Sequence, residues 1–203
     1  MRGCFMRSVL VWPMVLFWCL SAAPGRAAPC QPAELFVSDN ADPLFVSQAA
    51  ETLARNGDAV TGSTPLDGAY WSPALGRLTF ERSREFHLCG ADESALHAGA
   101  EALRRQFDQE SVLTFDYLPP QTPGDNAILI TVPNIDIGRL GDALAADPAA
   151  RTRLRGGSVS TTDHTLSLVA GEGDREVARR LVGEVGGNWD VAAIADGRSE
   201  FVE

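Results

Sequence analysis

The densest set of chemistry-bearing side chains lies in the run Glu-Arg-Ser-Arg-Glu-Phe-His from Glu81 to His87. Carboxylate, guanidinium and imidazole groups this close in sequence could move protons or hold an anion, provided that they share one face of a strand. Glu81, Arg84 and His87 are the candidates for such a site. A solvated strand face with cross-strand ion pairs gives the same pattern and is its commoner origin. His97 lies one position from an apolar helical stripe, with Glu93 and Glu101 four residues away on either side, which is the spacing of surface pairing. His164 follows Asp163 in a Thr-rich stretch that reads as a turn.

Other motifs carry less. The three histidines show no HxH, HxxxH or HExxH spacing, so no metal and no cofactor is expected. Ser111, Ser158 and Ser160 have neither a nucleophile elbow nor a placed base. Gly156-Gly157 reads as a helix stop, because the glycine spacing of a phosphate-binding loop is missing. Gln109 and Ser111 sit where they would cap or bridge a helix-to-strand turn. Tyr70 and Trp71, in a Pro/Gly-rich stretch, and Trp189 are candidates for a hydrophobic pocket or contact surface, with core packing the commoner role for such residues.

The amino terminus sets the compartment. Arg2 and Arg7 precede an apolar run from Val9 to Leu20 and then small residues, which is the pattern of a signal peptide over residues 1–27 cleaved after Ala27. The run is too short to span a bilayer, which takes ~20 apolar residues. An exported chain, periplasmic or extracellular, with no transmembrane segment after cleavage is the expectation. Without that leader, 14 arginines face 27 acidic residues, a net charge of −13. So acidic a surface repels phosphate backbones, which argues against nucleic acid as a partner. Cys30 and Cys89 remain, and in an exported chain they most economically form one disulfide.

The elements that must position these groups repeat. Ala33–Asp39 reads as a strand, and a helix follows from Asp42-Pro43 to Asn56-Gly57. Residues 58–76 look like a Pro/Gly loop, and 78–89 like a strand bent or bulged near Ser83, where Arg82 and Arg84 interrupt the alternation. A helix over 92–107 and a strand over 111–118 complete this half. After a linker at 119–126 come a strand at 127–132 and a helix from 135 to about 154, broken near Asp147-Pro148. A strand at 165–170, a helix at 174–185 and a hairpin turning at Asp196-Gly197 follow. HLCGADESALHAGAEALRRQFDQESVLTFDY thus has an echo in SLVAGEGDREVARRLVGEVGGNWDVAAIAD.

Each half, 28–118 and 127–203, reads as βαββαβ. The expected fold is α+β, two tandem ferredoxin-like repeats with helices packed on antiparallel sheet. With the first and third strands taken as parallel, Cys30 and Cys89 would lie at opposite ends of the sheet, although bridging needs Cα atoms within roughly 7 Å. Either the tail before Ala33 folds back, or the first half has another topology.

Three segments of the first half, ELFVS from Glu34, Glu81-x-Ser83, and FDQESVL from Phe107 to Leu113, have counterparts of the same order and rough spacing in a bacterial family. In these the chain resembles domain of unknown function 3574, a group of small exported proteins, over roughly Glu34 to Tyr117. The resemblance implies a compact exported α+β domain and brings no activity with it.

A well-formed α/β pattern without an assembled catalytic constellation favours a non-enzymatic exported domain that binds a protein or cell-envelope component. The alternative is a small-molecule enzyme with a polar site on the first-half sheet, built from Glu81, Arg84 and His87. A structural module held at the envelope by an uncleaved signal is a third reading.

Overall fold

Along most strands of this chain apolar side chains alternate with small or polar ones, so each strand has one face that needs a cover and one that does not. The computed structural model describes residues 30–72 and 77–203, with side chains outside 69–80. The expected signal peptide and the side chains of Tyr70 and Trp71 lie outside the described residues.

The first half contains β1 (Pro32–Ser38), α1 (Phe45–Arg55), β2 (Ala59–Ser72), β3 (Arg77–Cys89), α2 (Glu93–Gln106) and β4 (Val112–Tyr117). The second contains β5 (Ala127–Val132), α3 (Leu140–Ala146), α4 (Pro148–Arg153), β6 (Leu154–Ser160), β7 (Thr165–Gly171), α5 (Arg175–Glu184) and β8 (Ala193–Val202). The eight strands close into one antiparallel barrel in the order β1-β3-β2-β6-β7-β5-β8-β4. This overturns the expected tandem ferredoxin-like repeats. The two halves do not form two sheets; they join edge to edge, β4 with β8 over six residue pairs and β2 with β6 at Asp67↔Val159 and Gly68↔Ser158. Closure satisfies the edge strands that two open sheets would have left unpaired.

The helices lie outside the ring and cover two separate cores. Leu35, Phe86 and Leu88 of β1 and β3 pack with Phe45, Leu53 and Leu103 of α1 and α2. Ile128, Ile130, Leu166 and Leu168 of β5 and β7 pack with Leu140, Ala150 and Leu181 of α3 to α5. Residues of opposite parity turn into the barrel, where Leu113, Phe115, Ala127, Leu129 and Val169 form a smaller third cluster. Asp92 caps α2 by accepting from the Ala95 N–H at 2.8 Å, and Asp147 caps α4 between it and α3.

The parallel arrangement of first and third strands is also corrected. β1 and β3 are antiparallel neighbours with Pro32 opposite Cys89, so Cys30 arrives beside Cys89 and the two form a disulfide, Cα atoms 5.2 Å apart. The supposed loop at 58–76 is largely the long strand β2. Pro65 is tolerated in it because β6 pairs β2 only at Asp67 and Gly68, so the missing N–H faces an unpaired edge. The bulge lies in β2, between Val60 and Gly62, and not near Ser83. Arg84 needs no bulge, since the outer face of β3 simply runs on past Phe86 and Leu88. Gly156-Gly157 lies within β6, not at a helix stop.

Asp196-Gly197 does not turn; it lies inside β8. Gly197 stands opposite Tyr117 on one side and Ala127 on the other, and a Cβ there would come within 2.4 Å of the Asp116 carbonyl oxygen and within 2.5 and 2.7 Å of the Phe115 ring. The glycine therefore makes room for an aromatic ring inside the barrel. Gly197→Ala is expected to lower stability by about 1–3 kcal/mol through overpacking, read as a shift in the urea unfolding midpoint; an unchanged midpoint would show that the ring does not fill this space.

Candidate functional site

The inner face of the first half gathers several ionisable groups. Glu34 on β1 stands directly opposite His87 on β3, and Phe36 opposite Glu85. Because side chains alternate along a strand, Glu34, Glu85 and His87 all point inward while Leu35, Phe86 and Leu88 point to the helices. His87 Nδ1 is 2.6 Å from Glu34 Oε2, and its Nε2 is 2.8 Å from the Thr64 hydroxyl on β2. The Tyr117 hydroxyl donates to Glu34 Oε1 at 3.4 Å, and the Tyr117 ring stands edge-on to Phe115. Gly62 stands opposite His87 across β2 and β3.

Burial governs the electrostatics. Glu34 is only 7% exposed, and loss of hydration pushes its carboxyl up to about 7 against a lowering by the Tyr117 hydroxyl. Glu85 is also pushed up to about 7, first by burial and then by the charge of Glu34, with His87 opposing. Tyr117 is raised well above its usual value by burial and by the two carboxylates. One atom from each of Glu34, Glu85 and His87 can be chosen so that all three lie within 4.8 Å of one another, a spacing that a metal ion could use.

A cavity of about 590 Å³ opens further along the same inner face. Phe36, Leu113, Val169 and Phe201 give it apolar walls, and Ser38, Ser83, Gln109, Ser111, Ser158 and Ser167 add polar groups. Gln109 donates from Nε2 to the Ser38 carbonyl at 2.6 Å, which bridges the α2–β4 turn to the end of β1. Its Oε1 is buried and has no partner. The three segments Glu34–Ser38, Glu81–Ser83 and Phe107–Leu113, far apart in sequence, all contribute to this cavity wall.

Glu81, Arg84 and His87 do not come together. Glu81 is exposed and lines the cavity. Arg84 points to the outer face, where it pairs with Asp39 at 3.1 Å and donates to Ser63. His87 alone joins the inner cluster. His97 pairs with Glu200 across 3.5 Å and not with Glu93 or Glu101, which pair with Arg198 and with Arg104 and Arg105. His164 is a turn residue with φ 51°. Trp189 packs against the outer core of the second half.

Glu34 and Glu85 were not singled out in the sequence, and neither was Thr64 or Tyr117. A signal existed for two of them. Glu85-x-His87 is the period of a strand, which puts both on one face, and Glu34 is an acid within the apolar run Ala-Glu-Leu-Phe-Val. The pairing of Glu34 with His87 depends on the register of β1 against β3, which no local pattern encodes.

No protein-family model matches the chain, and no curated protein sequence does. Among solved structures it is similar to a candidate glycine cleavage system transcriptional repressor, at 12% identity over 86% of this chain and 98% of the other, with a TM-score of 0.27. It is also similar to an anthrone oxidase-like protein, at 11% identity over 86% of this chain and 93% of the other, with a TM-score of 0.27. Likeness at this level transfers neither fold nor activity.

Folding raises the Glu85 pKa, so the native state holds a proton that the unfolded chain releases between the ordinary carboxylate range and about 7. The stability tied to this group is present at low pH and is lost as pH rises to 7. Glu85→Gln, measured with a chelator present, is therefore expected to stabilise the protein at pH 8 by about 1–2 kcal/mol and to change little near pH 4.5. Thermal melts at the two pH values decide it; an equal effect at both would mean that the carboxylate is not destabilised by its surroundings.

Proposed function

We propose that this chain is an exported ligand-binding domain whose barrel mouth takes up a small amphipathic molecule, such as an envelope-derived component, without transforming it. The observation that carries this reading is the cavity on the inner face, beyond Glu34 and Glu85. A volume of about 590 Å³ falls in the range of small-molecule sites, and its mixture of aromatic, aliphatic and hydroxyl lining, with the acidic Asp39, Glu81, Asp108 and Glu110, suits a ligand with an apolar body and a few hydrogen-bond-donating polar groups. A protein partner has less support. The exposed large hydrophobic residues among those described, Leu44, Val191 and Phe201, sit in three separate elements, and Phe201 belongs to the cavity wall. Export is supported by the leader-like amino terminus and by the Cys30–Cys89 disulfide. Among the described residues no helix is long and apolar enough to cross a membrane.

The enzymatic alternative draws on a different set of residues from the one read in the sequence. Glu34 and His87 share a 2.6 Å hydrogen bond on the inner face, with Glu85 beside them, and carboxyls near neutrality are suited to proton transfer.

Screening the purified chain by thermal shift against small amphipathic molecules, with native mass spectrometry of the secreted form, tests the binding reading. A ligand is expected to raise the melting temperature. Ser158→Phe should abolish binding by filling the cavity. Undiminished binding to a folded Ser158→Phe protein would sink the proposal, and turnover of the bound molecule would favour the enzyme.

A further inference from the structure

We propose that Glu34, Glu85 and His87 form a binding site for a first-row divalent transition-metal ion in the barrel wall, with Thr64 and Tyr117 as its outer supports. This inference stands apart from the ligand cavity, and either could fail without the other. Glu34 and His87 face each other across adjacent strands, and Glu85 follows at the i−2 position on the same face of β3. All three donors therefore rest on hydrogen-bonded strands, which hold them better than loops would. Their ligand atoms already lie within 4.8 Å of one another. An ion bound at about 2.0–2.2 Å from each donor would draw the wider pairs in and replace the Glu34–His87 hydrogen bond, opening those two donors to about 3.4 Å.

The surroundings fit an ion better than they fit an ordinary ion pair. Among the described residues no arginine pairs with Glu34 or Glu85, so His87 is the sole potential cation beside two carboxylates. A divalent ion would neutralise both. The Thr64 hydroxyl fixes Nε2 of His87, which leaves Nδ1 directed at Glu34 and available as a ligand. Tyr117 likewise holds Oε1 of Glu34, leaving Oε2 on the side of the imidazole. Outer hydrogen bonds of this kind orient metal ligands and set the imidazole tautomer. The His87 side chain is 35% exposed, which gives an ion a way in and leaves room for water in the open positions. One imidazole and two carboxylates, with no sulfur, suit Zn²⁺ or Mn²⁺; Ca²⁺ prefers six to eight oxygens, and Cu⁺ prefers thiolates.

Titration calorimetry on the untagged, chelator-stripped protein with ZnCl₂ and with MnCl₂ tests the site. One ion per chain is expected, at micromolar affinity or tighter for at least one of the two metals. Glu34→Gln, Glu85→Gln and His87→Asn should each weaken binding by about a hundredfold, and Thr64→Val by about tenfold, as loss of an outer support does. Loading with Co²⁺ gives an independent readout, since its visible absorption should change in His87→Asn. Circular dichroism identifies any variant that fails to fold, and the remaining ones then decide. Absence of binding at millimolar metal would overturn the site, as would affinity unchanged in folded His87→Asn together with either glutamine variant.

Discussion

Closing eight strands into a single ring gives every strand a partner on each side and sorts each strand's side chains between a helix-covered outer face and an enclosed inner one. The outer face is solved by two conventional cores under α1–α2 and α3–α5. The inner face has no such cover, so its filling comes only from residues that point to the axis. Leu113, Phe115, Ala127, Leu129 and Val169 fill one stretch, with Gly197 admitting the Phe115 ring. On one side of that cluster the filling stops and the Ser/Gln-lined cavity opens. On the other side Glu34, Glu85, His87 and Tyr117 replace hydrocarbon. The location of both sites follows from where the inner apolar residues run out.

The halves repeat one strand order, β4-β1-β3-β2 and β8-β5-β7-β6, and at each seam a strand pairs with its own counterpart from the other half. Their outer faces are alike in chemistry, since both must bury helices. Their inner faces are not. The central strands of the second half, β5 and β7, turn Ala127, Leu129 and Val169 inward, whereas β1 and β3 turn Glu34, Glu85 and His87 inward. A repeated backbone thus gathers the Glu34, Glu85 and His87 cluster on β1 and β3, while Ala127, Leu129 and Val169 of β5 and β7 supply apolar wall. The long β4·β8 seam holds that wall against Phe115 and Tyr117, which in turn orient Glu34.

Much of the local structure is legible in the sequence because it is fixed by local chemistry. The α2 helix is announced by its Asp92 cap and its stripe of Leu96, Ala100 and Leu103, and Asp147-Pro148 marks the break between α3 and α4. β2 and β8 are not legible, for a shared reason. Gly62, Pro65, Gly68 and Asp196-Gly197 are turn residues by their own preferences, yet here they lie within strands: Gly197 admits the Phe115 ring, and Pro65 lies where β6 does not pair with β2. Barrel closure is a property of pairs 80 or more residues apart, such as Phe115 with Ser199. His87 was legible as a polar group of interest, but its true neighbours come from β1, β2 and β4. Arg84, its neighbour in sequence, is turned away by the simple alternation of a strand, whereas Glu81 shares the face of His87 but lies further along β3, at the cavity.

The same alternation separates two ways of burying a carboxylate. Asp58, at the start of β2, is 1% exposed with neither oxygen partnered, and burial together with the charge of Asp92 pushes it up to about 7. It lies beneath the helices, against Gly99 of α2, whose missing side chain leaves it room. Nothing converges on it, so retaining a proton is its available relief. Glu34 and Glu85 bear a similar cost of burial, but they share it with an imidazole and two hydroxyls drawn from four strands. A lone buried acid needs only a cavity of the right size. Donors brought together from β1, β2, β3 and β4 need the register of all four strands at once, and that convergence distinguishes a site from an accommodation.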